Sequence, residues 1–268
     1  MLYLVSTPIG NLEDITLRAL RILKECDYIL CEDSRKTIIL LNHYKIKKPL
    51  FSFHKFNEKQ KGKMIIEHLQ NGKNIAVVSD AGTPIICDPG NKLVQECIKE
   101  DIPFTLIPGP CSVINGLVLS GFNLTSFHFF GFLEKKDQEI ETALQQALRL
   151  EGVSCFFESP SRIIKTLKKL ESINPNANIA ISKEITKKFE NVFRGTVTEV
   201  LNLLEEKPIK GELILMIEGG NTSINNDDIE GFIKLLQNTY GLSIKDAIKM
   251  AAKLKKVPKK TIYKKILC

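Results

Sequence analysis

Glycines, prolines and charged side chains follow a series of short apolar runs in this sequence, at the points where each run ends. Glycine lets a backbone approach a ligand closely, and a carboxylate can bind a cation or accept a proton. Taken singly, each segment is better explained by a helix cap or a tight turn than by a binding site. The segments are Thr7–Asn11, Glu32–Arg35, Ser79–Pro84, Asp88–Gly90, Pro108–Ser112, Glu158–Pro160 and Lys183–Lys187.

Two common phosphate-binding motifs are absent from these segments. No G-x-G-x-x-G follows an apolar run, and no G-x-x-x-x-G-K-[ST] is present, which disfavours dinucleotide oxidoreductases and P-loop nucleotide hydrolases. Glycine or alanine beside a carboxylate and prolines suits a nucleoside without phosphate that the backbone approaches directly. The cationic sulfonium of S-adenosylmethionine, with its ribose and adenine, fits that description.

The elements that must position these segments alternate between strands and helices. Helical patterns near residues 15–24, 36–43, 57–70 and 92–99 separate the first strands, which indicates an α/β fold with a mainly parallel sheet. A second alternating block follows, with a helix near 138–150 and a capping box at Thr196 and Glu199. Ligands bind beyond the carboxyl ends of such strands, so the segments point to one cleft. The predicted strands are Leu2–Val5, Tyr28–Cys31, Ile75–Val78, Phe104–Ile107, Val153–Phe157, Ile179–Ser182, Glu190–Arg194 and Glu212–Ile217.

The expected organisation is an α/β domain over residues 1–121, a second over 122–222 and a basic helical tail over 223–268. In the tail, Ser243 and Asp246 cap a helix, and another helix begins at Thr261 after Pro258. From residue 241 onward there are nine lysines and one aspartate, whereas the whole chain has a net charge of +7. A polyanionic partner explains this concentration of charge, and so does a solvated lysine-rich tail.

Composition excludes several classes of protein. In 268 residues, 43% are hydrophobic and 26% charged, so a globular core is expected rather than disorder. No apolar run approaches the length of a membrane span and no signal peptide is recognisable, so a cytoplasmic protein without membrane association is expected. Seven scattered cysteines and four histidines lack zinc-ligand spacing, which predicts free thiols and no metal.

Several of these strings resemble the motifs of the tetrapyrrole-methylase superfamily. Within it, they are most similar to the bacterial enzymes that methylate the ribose 2′-oxygen of a cytidine in 16S ribosomal RNA. The resemblance runs from residue 2 to about residue 217, and the tail is similar to the same branch's C-terminal segment. It is carried by LYLVSTPIGN (2–11), EDSR (32–35), SDAGTP (79–84), DPG (88–90), GFL (131–133), ESP (158–160) and KEITKKFE (183–190).

The resemblance implies two α/β domains that face each other across a cleft holding S-adenosylmethionine. The implied partner is 16S rRNA or the small ribosomal subunit. The facing-domain fold often dimerises, so a homodimer is a further expectation. By position in the motifs, the expected cofactor-binding residues are Pro8, Asp80, Ala81, Gly82, Thr83, Ser112, Val113, Phe157 and Glu158.

Methyl transfer to a ribose hydroxyl needs alignment of the two reactants and, because the hydroxyl is a weak nucleophile, help in removing its proton. The candidate bases are Asp33, Glu184 and Lys187, the last only if its pKa is lowered; otherwise it would hold a phosphate. Arg35 is expected to grip the RNA backbone. Arg162 and Lys183 are expected to do the same.

Three positions depart from the family's pattern. Cys111, Ser161 and Lys183 stand where serine, histidine and arginine are common, which weakens any need for an imidazole base. The aromatic run Phe129, Phe130 and Phe132 is expected in the core.

Three alternative functions remain open: methylation of a tetrapyrrole carbon, methylation in the diphthamide pathway, and a non-catalytic role as a ribosome-assembly factor that binds RNA.

Overall fold

The computed structural model describes residues 1–207, 209–220, 229–254 and 258–266. The chain divides into two compact units, Met1–Gly219 and Gly220–Cys268. Lys255, Lys256 and Cys268, and the expected boundary between residues 222 and 223, lie outside the described residues. No helix among the described residues is long and apolar enough to cross a membrane.

The first sheet consists of parallel strands in the order β3-β2-β4-β1-β5. Four of its strands begin and end at the predicted residues. β3 was not predicted, because its three residues are only partly buried and carry too short a pattern. The strands are β1 (Leu2–Val5), β2 (Tyr28–Cys31), β3 (Leu50–Ser52), β4 (Ile75–Val78) and β5 (Phe104–Ile107).

Two helices cover each face of this sheet. α1 (Leu17–Glu25) and α2 (Ser34–His43) share one buried cluster with Val5, Ile29 and Val78. α3 (Glu58–Gln70) and α4 (Asn91–Lys99) pack with neighbouring strand residues on the other face. Every residue of β2 and β4 is therefore buried, which explains why these strands are continuous apolar runs.

The strand order creates a crevice at the carboxyl ends of β1 and β4. The chain moves from β1 past β4 to β2 and β3 through α1 and α2, and it returns to β4 and β5 through α3 and α4. The segments that follow the neighbouring strands β1 and β4 therefore lead to opposite faces of the sheet. Such a topological switch point is where open α/β sheets bind ligands.

The second sheet is mixed, whereas the first sheet is parallel throughout. Only β6 and β7 are parallel, and the other neighbours are antiparallel. The segment of 184–190 between β8 and β9 is too short for a helical crossover, so these two strands pair antiparallel. In the order of the sheet, the strands are β6 (Phe127–Phe132), β7 (Gly152–Glu158), β10 (Leu213–Gly219), β8 (Asn178–Lys183) and β9 (Asn191–Thr196).

Helices also cover both faces of the second sheet. α6 (Asp137–Arg149), α7 (Pro160–Ile173) and α8 (Val197–Glu206) share one buried cluster, and the predicted capping box begins α8. α5 (Ser112–Ser120) packs on the other face, where Val113 and Leu117 meet residues of β7, β8 and β10. The boundary expected between residues 121 and 122 falls between α5 and β6, and it stays a prediction.

The C-terminal unit contains α9 (Ile229–Tyr240), α10 (Ile244–Leu254) and α11 (Lys259–Ile266) in its described residues. Two helices were expected here, so α9 is an addition. The Ser243 hydroxyl and the Asp246 carboxylate form the predicted cap of α10 at 2.6 Å. Ile233 and Leu236 of α9 pack with Ile248 of α10 and Ile262 of α11 in a small core.

Candidate functional site

A cavity of about 370 Å³ lies between the carboxyl ends of the first sheet and one face of the second. Its size falls within the roughly 300–1,000 Å³ typical of small-ligand sites. The first half of the chain contributes Ile9, Asp80–Thr83, Ile86–Asp88 and Cys111–Val113, and the second half contributes Phe132, Phe157–Pro160, Ile185 and Gly211–Ile214.

Most of the expected cofactor-binding residues line this cavity. Pro8 is the exception: it lines a smaller neighbouring cavity together with Lys36, and Ile9 takes its place. The residues that do line the cavity are Asp80, Ala81, Gly82, Thr83, Ser112, Val113, Phe157 and Glu158.

A backbone pair closes the crevice between β1 and β4. The Thr7 N–H donates to the Gly82 carbonyl at 2.9 Å, and the Gly82 N–H donates to the Thr7 carbonyl at 3.0 Å. Gly82 has φ +77, a left-handed conformation that glycine adopts without strain. The Thr83 hydroxyl extends the link by donating to the Pro110 carbonyl at 3.3 Å.

The Asp80 carboxylate joins the segment after β4 to the segment after β2. One of its oxygens accepts the Asp33 N–H at 3.0 Å, and the other accepts the Lys36 ammonium at 2.7 Å. Three segments therefore meet in space, as their places at the strand ends predict: TPIGN (Thr7–Asn11), EDSR (Glu32–Arg35) and SDAGTP (Ser79–Pro84).

Asp33 and Arg35 form a pair outside the cavity lining. Asp33 accepts the Arg35 backbone N–H at 2.9 Å and the Arg35 Nη2 at 2.7 Å. Hydrogen bonds from the side chain and backbone of Arg35 lower the pKa of the Asp33 carboxyl to about 2. A carboxylate of such low basicity is a poor proton acceptor near neutral pH. The Arg35 side chain is 89% exposed, so it can reach a partner in solvent.

Glu184 and Lys187 form a second pair, in the segment after β8. Glu184 accepts the Lys187 ammonium at 3.0 Å and the Glu212 N–H at 3.0 Å. The Glu212 backbone and Lys187 lower the pKa of Glu184. Burial lowers the pKa of Lys187, but hydrogen bonds to Glu212 and Glu184 outweigh it, and the net shift is upward. Lys187 therefore stays protonated, which argues against its role as a base.

The same segment packs against TPIGN. The Thr186 hydroxyl accepts the Asn11 N–H at 3.0 Å, and a Cβ placed on Gly10 would lie 2.5 Å from Cγ of Lys187. Only glycine fits at this distance. The segment of Glu184–Lys187 therefore packs against the segment that follows β1 and is hydrogen-bonded to Glu212, which precedes β10.

Glu158 lines the cavity, but its carboxylate is fully occupied. It accepts the Ser159 N–H at 2.8 Å and the Thr166 hydroxyl at 2.8 Å, and Arg162 lies 3.5 Å away. Arg162 in turn donates to the Leu133 carbonyl at 2.9 Å. The Nη2 group of Arg162 thus links α7 to the segment that follows β6, and the expectation that Arg162 grips RNA stays a prediction.

Phe132 does not lie in the core, where it was expected. Its side chain is 63% exposed and lines the cavity, whereas Phe129 and Phe130 pack against the cores. The strand register shifts between Phe129 and Gly131, and Gly131 has φ +72, so a bulge interrupts the alternation of side chains and redirects Phe132. A glycine inside an aromatic strand is the sequence signal for such a bulge.

Asp88 lines the cavity and had no role assigned from the sequence. Burial raises the pKa of its carboxyl to about 6, with Glu32 and Asp80 adding to the effect. Burial likewise raises the pKa of Glu32. Among the described residues, no cluster of histidines, cysteines and carboxylates is arranged to bind a metal ion.

The sequence and fold both match known proteins. Residues 1–201 match the family model described as tetrapyrrole (corrin/porphyrin) methylases. A protein of Halalkalibacterium halodurans named ribosomal RNA small subunit methyltransferase I is 41% identical over 98% of this chain and 93% of its own. Relatives of the same name from Bacillus subtilis and Thermotoga maritima are 38% and 44% identical, over 98% and 81% of this chain and 92% and 98% of their own.

Two solved structures share the fold at low identity. Diphthine synthase aligns with a TM-score of 0.64 at 11% identity, covering 81% of this chain and 89% of its own. Uroporphyrin-III C-methyltransferase from Thermus thermophilus, complexed with S-adenosylhomocysteine, aligns with a TM-score of 0.58 at 18% identity, covering 81% and 96%. The expected α/β fold with two sheets is confirmed, and the chain belongs to the tetrapyrrole methylase family.

Proposed function

We propose that this protein transfers a methyl group from S-adenosylmethionine to the ribose 2′-oxygen of a cytidine in the 16S rRNA of the small ribosomal subunit. The observation that carries the proposal is the cavity at which the TPIGN, EDSR and SDAGTP segments meet. Relatives named as small-subunit rRNA methyltransferases, at 38–44% identity, support the RNA substrate. The corrin and diphthine enzymes are only 11–21% identical, so they support the fold alone.

The cavity fits a nucleoside that carries a positive sulfur. Apolar side chains such as Ile9, Val113 and Phe157 can enclose an adenine, and Gly82 lets the backbone approach it. The carboxylates of Asp80 and Asp88 give the cavity a negative potential that favours a sulfonium. When bound, S-adenosylmethionine supplies an electrophilic methyl group.

The acceptor is proposed to enter from the side of Arg35. Proteins recognise RNA mainly through single strands, shape and 2′-hydroxyls, so the acceptor is proposed to be the ribose of an unpaired nucleotide. In this arrangement the exposed Arg35 holds a backbone phosphate.

Because the proposed substrate is the small ribosomal subunit, the cytoplasm is the proposed location.

The proposed function is tested by incubating the protein with small ribosomal subunits and S-adenosylmethionine labelled on the methyl group. The RNA is then digested to nucleosides and the label is located by mass spectrometry. We expect one 2′-O-methylcytidine per subunit. Binding of the subunit without transfer would favour the assembly factor instead, and label on a base would contradict the ribose acceptor.

Replacing Asp80 with alanine should weaken the binding of S-adenosylmethionine by about tenfold. The variant loses the acceptor of the Asp33 N–H and the partner of Lys36, and one such hydrogen bond contributes about 1 kcal/mol. Asp80→Asn is the matched control, because an amide oxygen still accepts the Asp33 N–H. Titration calorimetry measures both, and equal affinity of wild type and Asp80→Ala would remove Asp80 from the site.

We also propose that the basic C-terminal unit adds affinity for RNA. Lys245, Lys249 and Lys253 are exposed and recur every four residues, so they form one stripe along α10. The relative from Thermotoga maritima matches only 81% of this chain yet 98% of its own, so about a fifth of this chain has no counterpart there. The unit is therefore proposed to assist binding rather than the methyl transfer itself.

Replacing these three lysines with glutamine should lower the salt dependence of RNA affinity. Each lost phosphate contact reduces the slope of log K against log salt by about 0.7–0.9, so a decrease of about 2 is expected. The control variant replaces three lysines at the amino ends of the strands of the first sheet, away from the cavity, and its slope should stay unchanged. These are Lys24, Lys47 and Lys99, which precede β2, β3 and β5. An unchanged slope in the α10 variant would show that these lysines do not contact RNA and that the tail is a solvated lysine-rich segment.

A homodimer is proposed as the assembly. Phe104 and Leu106 of β5 and Ile114 and Val118 of α5 are all exposed apolar side chains in one short segment. Exposed apolar clusters of this kind favour association. A single monomeric species in sedimentation velocity at micromolar concentration would contradict it.

A further inference from the structure

We propose that Asp88 is the catalytic base that accepts the proton of the ribose 2′-hydroxyl. The inference rests on the proposed function and goes beyond it by assigning a residue to the proton transfer. The carboxylates that line the cavity differ in how free they are to take a proton, and this difference singles out Asp88.

Four carboxylates line the cavity within the described part of the chain, and three of them are held by a cation or by backbone N–H groups. Asp80 binds Lys36 and the Asp33 N–H, and Glu158 binds the Ser159 N–H. Glu212 pairs with Lys187 at 2.9 Å. The oxygens of these three carboxylates therefore already accept hydrogen bonds from other groups of the protein.

Asp88 differs from these three. It has no ion pair among the described residues, and the hydroxyl of the neighbouring Ser79 donates to the Ala81 carbonyl at 3.1 Å. The charged groups that act on it are Glu32 after β2, Asp80 after β4 and Lys36 on α2. Burial and the first two of these charges raise the pKa of Asp88 to about 6, whereas Lys36 and Ser79 lower it. A base is most effective when its pKa lies near the working pH.

The segment that carries Asp88 is strained and firmly anchored. Ile85 has φ +77 and Cys87 has φ +67, conformations that cost about 1–3 kcal/mol each for residues other than glycine. The buried carboxylate of Glu58 accepts the N–H groups of Gly90 and Lys92, both at 3.1 Å, and so fixes the end of the segment. Strain of this kind persists where the surrounding structure enforces a functional geometry.

In the proposed step, the ribose O2′ forms a bond to the methyl carbon as the carbon–sulfur bond breaks. The electron pair of that bond stays on sulfur, which becomes a neutral thioether. The hydroxyl proton passes to the Asp88 carboxylate, which later releases it to solvent. No other reactant is needed.

The test compares wild type, Asp88→Asn and Glu32→Gln in single-turnover methyl transfer to small ribosomal subunits between pH 5 and pH 9. The wild-type rate should fall as the pH decreases through about 6, because Asp88 then becomes protonated. Asp88→Asn should lose about 10²-fold or more of the rate, the usual contribution of a general base, and should lose this pH dependence. Its affinity for S-adenosylhomocysteine, which carries no sulfonium charge, should stay within about threefold of wild type, since the asparagine side chain is isosteric with that of aspartate.

Glu32→Gln provides a second variant that does not line the cavity. Because the Glu32 carboxylate raises the pKa of Asp88, its removal should move the midpoint of the rate profile to lower pH while the plateau rate stays unchanged. A merely structural role of Asp88 would not produce this shift.

Thermal unfolding supplies a readout that is independent of activity. The pKa of Asp88 is raised in the folded protein, so its ionisation above pH 6 disfavours folding, and Asp88→Asn should unfold at a higher temperature than wild type at pH 7.5. The difference should vanish below about pH 3, where Asp88 is protonated in the folded and in the unfolded protein.

Two results would overturn the inference, and they are distinguishable. If wild type methylates the ribose and Asp88→Asn does so at a similar rate with the same pH profile, Asp88 is not the base. If wild type transfers no methyl group to the subunit, the proposed function fails and the assignment of Asp88 fails with it.

Discussion

Replacing Gly82 with valine is expected to reduce the affinity for S-adenosylmethionine by about 100-fold or more, as measured by titration calorimetry. Gly82 has φ +77, where a β-branched residue is strongly strained, and a Cβ there would lie 3.2 Å from Cγ2 of Ile9. Strain and crowding of about 3 kcal/mol correspond to this loss, since each 1.4 kcal/mol changes affinity tenfold. The Thr7–Gly82 backbone pair that closes the crevice would also be disturbed.

Gly72 provides a matched control for the backbone effect. It has φ +80, but nothing lies within 4 Å of a Cβ placed on it, and it lies between α3 and β4 at the far edge of the sheet. Gly72→Val should therefore lower the unfolding temperature without changing cofactor affinity. If Gly82→Val binds S-adenosylmethionine as wild type does, the cavity is not the cofactor site.

Replacing Arg35 with alanine is expected to lower kcat/KM for RNA methylation by about 10- to 100-fold while cofactor affinity stays unchanged. The guanidinium is exposed and lies outside the cavity lining, and Asp33 orients it through Nε and Nη2. A hydrogen bond to a charged group contributes about 1.5–3 kcal/mol, which gives this range. Parallel measurements of methylation and of calorimetric cofactor binding separate the two effects.

Arg35→Lys distinguishes charge from geometry. Lysine keeps the positive charge but cannot form two parallel hydrogen bonds, so it should recover only part of the lost activity. Full recovery would show that a point charge suffices. Undiminished methylation by Arg35→Ala would end the assignment of Arg35 to the RNA backbone.

Much of the first sheet could be predicted because its strands and helices have patterns that differ in period. β2 and β4 are short apolar runs, and α1 and α4 have one apolar face each. α5 escaped prediction because it is apolar on most sides: one face packs against the second sheet and the exposed face carries Ile114 and Val118, so no polar stripe marks its period.

The sequence predicted that the segments at the strand ends meet, but it did not predict the pairing of the side chains within them. Loops at strand ends must share an edge of a parallel sheet, which brings Gly82 and Thr7 together. The partners of a charged side chain depend on tertiary structure, so the hydrogen bond from Arg162 to the Leu133 carbonyl could not be predicted from the sequence. No role was predicted for Asp88, because burial raises its pKa and the burial of a loop carboxylate cannot be predicted from the neighbouring residues.

The central claim is that one cavity, formed by the TPIGN and SDAGTP segments, holds the methyl donor. A crystal structure of the protein grown with S-adenosylhomocysteine tests this most directly. We predict electron density for the ligand among Asp80–Thr83, Ser112 and Phe157, with its sulfur facing the side of Asp88. Ligand density elsewhere on the protein, with this cavity filled only by water, would contradict the account.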